Sequence, residues 1–104
     1  MNKVKKYVVT LIQFDDDGNY EVYNWIADTK QEARSIVEKT IKEIKEDVDL
    51  KEYAESRGFI FTKVWFGTNN CHLCVGPYGK DDGIDYCMNE YKYDWHFTIN
   101  ESLN

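Results

Sequence analysis

The chain has 104 residues, of which 42% are hydrophobic and 15% aromatic, and its formal net charge is −6. That length supports one domain, residues 1–104, with its own core. The aromatic content excludes a disordered chain, and no apolar run reaches the roughly 18 residues that a membrane helix needs.

The N-terminal residues Met1-Asn2-Lys3-Val4-Lys5-Lys6 are basic, but residues 7–14 (YVVTLIQF) are rich in β-branched and aromatic side chains. They read as a strand rather than a signal peptide. Asp15-Asp16-Asp17-Gly18-Asn19 reads as a turn of about five residues, and residues 20–27 (YEVYNWIA) as the returning strand of a hairpin. Thr29-Lys30-Gln31-Glu32 matches a capping box, with Thr29 as the N-cap and Glu32 reaching back. Ala33, Ile36, Val37, Ile41, Ile44 and Val48 follow at steps of three or four and predict one long amphipathic helix. Residues 50–57 predict a further turn or short helix, ended by Gly58.

Residues 59–66 (FIFTKVWF) predict a third strand, 71–75 a short strand or tight turn, and 84–88 another short strand. Residues 91–99 alternate, with Tyr91, Tyr93, Trp95, Phe97 and Ile99 on one face and Lys92, Asp94, His96 and Thr98 on the other. The pattern predicts a strand with one apolar face and one wet face, placed where it can serve as a sheet edge, followed by a frayed tail from residue 100. The order β-β-α-β followed by short C-terminal strands predicts an α+β domain. Its antiparallel, twisted sheet has one long amphipathic helix packed on one face.

The charge is unevenly spread. Residues 81–104 hold six carboxylates, Asp81, Asp82, Asp85, Glu90, Asp94 and Glu101, against Lys92 alone. A smaller acidic block, residues 14–28, holds Asp15, Asp16, Asp17, Glu21 and Asp28 with no lysine or arginine. Direct nucleic-acid binding is disfavoured, because phosphate contacts need clustered Lys and Arg. A protein partner with a basic surface is favoured instead. Tyr78 and Tyr86, set among Asp81, Asp82, Asp85, Glu90 and Asp94, are the expected partner-binding residues, the tyrosines as anchors and the carboxylates as partners for arginine and lysine.

All three cysteines, Cys71, Cys74 and Cys87, lie in the last third of the chain with both histidines, His72 and His96. Cys71, Cys74, Cys87 and His96 form a C-x2-C-x12-C-x8-H set, which has the donors of a structural zinc but lacks a second close pair. His72 sits inside the C-x2-C spacing, an awkward place for a ligand. An odd number of cysteines also fits reduced thiols and a cytoplasmic location.

A cysteine nucleophile, Cys74 or Cys87, with a histidine base and Asp94 or Asp85 behind it has no local signature here. The Asp-Gly clusters at 15–18 and 81–83 lack the closing glutamate of a calcium loop. Gly76-Pro77-Tyr78-Gly79-Lys80 lacks phosphate-loop spacing.

The expected function is therefore a small acidic, non-catalytic protein-binding domain, without a cofactor. In size, charge and lack of catalytic motifs it resembles, in type only, the small acidic inhibitors of phages and mobile elements, anti-CRISPR proteins among them. That likeness implies occupation of the basic nucleic-acid-binding surface of an enzyme. The alternative is a zinc-stabilised structural or adaptor module.

Overall fold

The computed structural model of the chain describes residues 5–15, 17–76 and 93–103. Strands β1 (Lys5–Phe14) and β2 (Tyr20–Ala27) form a hairpin, helices α1 (Lys30–Lys45) and α2 (Val48–Arg57) follow, and β3 (Ile60–Phe66), β4 (Asn70–Gly76) and β5 (Tyr93–Leu103) complete the elements among the described residues. The result is an α+β fold whose antiparallel sheet has the order β2-β1-β5-β4-β3. None of its helices is long and apolar enough to cross a membrane.

The hairpin turn is held by Asp15, whose Oδ1 accepts from the backbone N–H groups of Asp17 and Asn19, each at 2.9 Å. Gly18 takes the positive φ of 86° that the reversal needs. Asp15 is thus committed to the turn, which accounts for the aspartate-glycine sequence without a cation.

The predicted long helix ends before the last residue of its stripe, and the short helix expected at 50–57 begins earlier, at Val48. Thr29 caps α1 by accepting from Glu32 N–H at 3.0 Å, while the Glu32 carboxylate reaches one residue further back than a capping box requires, to the N–H of Asp28. The apolar stripe then ends at Ile44. Asp47 accepts from Leu50 N–H and starts α2, so Val48 leaves the stripe and is exposed. A side-chain acceptor of this kind satisfies orphan amides and makes a new helix start cheaper than continuing the old one. Gly58 closes α2 in the left-handed region, at φ 69°.

The predicted edge strand is central. β5 lies between β1 and β4, and it continues through the residues expected to fray, with Leu103 opposite Lys5. Of the two readings of 71–75, the short strand is the one formed: it is part of β4, buried at every position from Cys71 to Gly76. The predicted strand at 84–88 lies outside the described residues.

Strand alternation sends Val9, Leu11, Ala27, Cys71, Leu73, Val75, Trp95, Phe97 and Ile99 to one face, where Ala33, Val37 and Ile41 of α1 and Ala54 of α2 complete the core. A polar clasp ties α1 to the far edge. Glu38 accepts from Lys63 Nζ at 2.8 Å and from Trp65 Nε1 at 2.9 Å, and the Arg34 guanidinium lies 4.0 Å from the centre of the Trp65 ring.

Candidate functional site

The even-numbered strand residues form the second face of the sheet. Cross-strand register aligns Val22, Ile12, His96, His72 and Val64 in one row across all five strands. The adjacent row holds Tyr20, Phe14, Asp94, Cys74 and Thr62. A strand repeats every two residues, so Asp94 and His96 share a side, His72 stands opposite His96, and Asp94 is its diagonal neighbour. Three ionisable side chains thereby meet in the middle of a β-sheet.

The contacts are direct. His96 Nε2 lies 2.6 Å from Asp94 Oδ2, and His72 Nε2 meets Asp94 Oδ1. The two imidazoles stack at 4.2 Å between centroids and 18° between planes, and Phe14 presents its ring edge to His96 at 5.5 Å. His72 and Asp94 are each 2% exposed, whereas the His96 side chain is 41% exposed. Burial pushes the His72 pKa down, outweighing the pull of Asp94 in the other direction, and the neighbouring His96 adds to the fall. The lowered His72 thus sits directly against the buried Asp94 carboxyl.

The expected zinc set is not assembled. Cys71 belongs to the helix-covered face, where burial and then the charge of Glu38 push its thiol up to about 12, the value of an inert core thiol rather than a ligand. Cys74, three residues on, points the opposite way, because an odd spacing on a strand separates side chains onto different faces. It is disulfide-bonded, so it is neither a free nucleophile nor a thiolate ligand. That bond corrects the reading of three reduced cysteines and removes its support for a cytoplasmic location. Cys87 lies outside the described residues.

Of the expected partner-binding residues, Asp94 is buried between two histidines and offers no surface to a partner. Tyr78, Asp81, Asp82, Asp85, Tyr86 and Glu90 lie outside the described residues. His72 is the site residue that sequence reasoning set aside. The available signal was the alternation of 70–76, which as a strand puts His72 on the side of Asp94 and His96.

The same face changes character toward β2. Tyr20, Val22 and Ile26 are 66%, 49% and 70% exposed, beside Phe14, Ile12 and Val8 of β1. β2 is an edge strand, so its outer backbone groups have no sheet neighbour among the described residues. Asp17 lies in the hairpin turn at the end of this apolar strip, and Glu21 projects from the other side of the same edge strand, where its carboxylate accepts from the Tyr23 hydroxyl. No protein-family model matches the chain, and neither a curated protein nor a solved structure matches it.

Proposed function

We propose that the chain is a non-catalytic protein-binding domain that docks through the β2 flank of the second face, against an apolar patch rimmed by basic residues. The observation that carries this reading is the exposed row Tyr20, Val22 and Ile26 on an edge strand. Large apolar side chains beside unpaired strand groups invite association, and edges that avoid it carry lysine, proline or a covering element. Here the flanking residues 14–28 hold five carboxylates and no lysine or arginine, and Lys6 of β1 offsets one of them, Asp28. That charge selects a basic rim on the partner and disfavours nucleic acid itself. The hairpin thus joins Tyr78, Asp81, Asp82, Asp85, Tyr86 and Glu90 as a proposed docking contact, while buried Asp94 leaves that set. In its narrower form the reading is an acidic inhibitor that covers the basic nucleic-acid-binding surface of an enzyme; size and charge alone support that form.

The test compares baits. Wild-type protein, Val22→Lys with Ile26→Lys, and Asp17→Lys with Glu21→Lys are used to capture partners at low and high salt. Asp15 is spared because it holds the turn. The expected result is a partner retained by the wild type, lost from both double variants and released by salt. Equal retention by all three baits would defeat the reading, and so would a wild-type homodimer that the lysine pair on β2 dissolves.

A further inference from the structure

The His72–Asp94–His96 cluster is a built site that docking through β2 leaves unused. Its donor atoms all lie within 4.8 Å of one another, on two neighbouring strands rather than on a loop. Two imidazole nitrogens and a carboxylate oxygen are the donor set of divalent first-row metal sites.

The electrostatics also call for a cation. Asp94 is 2% exposed, and among the described residues its ionic partners are the two histidines, with no lysine or arginine. A carboxylate enclosed in this way, with two imidazoles as its neighbours, is a favourable place for a cation, because the low-dielectric interior strengthens the attraction. A divalent ion seated among the two Nε2 atoms and the carboxylate competes with protons for the same donors and brings positive charge to Asp94. The imidazole stack and the Phe14 edge hold both rings in place, and half-exposed His96 provides the way in.

We propose that Nε2 of His72, Nε2 of His96 and the carboxylate of Asp94 hold one divalent transition-metal ion, zinc in the first instance, with a fourth position open to water or to a donor from a partner. This differs from the cysteine set expected from sequence in every ligand except His96, and it is independent of the docking surface on β2.

The test uses the full chain with its disulfide intact, stripped of metal by a chelator and then titrated with zinc alone and with cobalt(II) alone. Native mass spectrometry counts ions, and the visible spectrum of the cobalt form reports the ligands. The expected result is one ion per chain, with cobalt bands lacking sulfur-to-metal charge transfer. Affinity should fall by roughly tenfold or more in His96→Gln and in Asp94→Asn, and stay unchanged in Cys71→Ser. His96→Gln is the decisive variant, because its side chain is half exposed and its fold in chelator can be matched to the wild type by near-UV circular dichroism. Substoichiometric binding by the wild type would overturn the proposal. So would equal affinity in His96→Gln, or a strong sulfur charge-transfer band, which would move the ligands to the cysteines.

Discussion

The helix-covered face of the sheet and its second face are made by the same five strands, yet they solve different problems. On the first, Val9, Leu11, Leu73, Val75, Trp95, Phe97 and Ile99 meet α1 and α2 and exclude water. On the second, the centre is polar and buried at His72 and Asp94, while the β2 flank is apolar and exposed at Tyr20, Val22 and Ile26. Hydrophobic burial accounts for the centre of the first face, with the Glu38 clasp at its β3 edge. The second inverts that rule twice, with charge inside and hydrocarbon outside, and both inversions cost free energy if nothing binds there. Stability thus rests on the first face, and both proposed binding sites lie on the second.

Substitutions can break this division. The largest expected effect is Phe97→Ala, which should lower unfolding free energy by about 3–5 kcal/mol, a large share of the total for a small domain. By contrast Val22→Lys and Ile26→Lys, the binding probes on the other face, should each stay within about 0.5 kcal/mol. Urea denaturation of the three variants measures both. If the lysine variants matched the loss in Phe97→Ala, the β2 flank would belong to the core and the contrast would collapse.

Cys71→Ser sharpens the boundary between the faces at β4. It places a hydroxyl in the apolar core and should cost about 1–3 kcal/mol. The native Cys71 thiol, pushed up to about 12, should resist an alkylating agent at neutral pH until the chain is unfolded. Rapid labelling of Cys71 in the folded protein would contradict its place on the helix side.

The smallest effect concerns the Glu38 clasp. Burial works to raise the Glu38 pKa, but the hydrogen bonds from Lys63 and Trp65, with the charges of Lys63 and Arg34, outweigh it and hold it low. A lowered folded value contributes stability that is present above the ordinary carboxylate range, about 4.3, and is lost as pH falls through the folded value. The stability difference between wild type and Glu38→Gln should therefore shrink as pH drops from 7 to 3. A difference that stays constant with pH would remove the charge-based account of the clasp. The group is well exposed, so the whole effect is modest.

Much of the local structure was legible in the sequence, because it rests on short-range chemistry. The β1–β2 hairpin, the Thr29 cap, the stripe from Ala33 to Ile44 and the stop at Gly58 follow from periodicity, a side-chain acceptor and a left-handed glycine. The break between the long helix and the short one was placed after Val48 rather than at Asp47, although an aspartate N-cap was there to be read, since Val48 happens to prolong the helical spacing. The pairing of Asp94 with His96 on one strand face was also legible, as a two-residue repeat.

Long-range pairing was not. Sequence alternation says that Asp94 and His96 share a side, but it does not say which strand lies beside them, so the position of β5 between β1 and β4 belongs to the tertiary structure. That placement buried Asp94 on the face expected to be wet and brought His72 against its two partners, while alternation along β4 separated Cys71 from Cys74. The sequence by itself determined the α+β class, the acidity and the inventory of ligand-type side chains. The tertiary structure decided which of them meet, because a strand's register, and with it the identity of every neighbour, is set by the packing of the whole sheet.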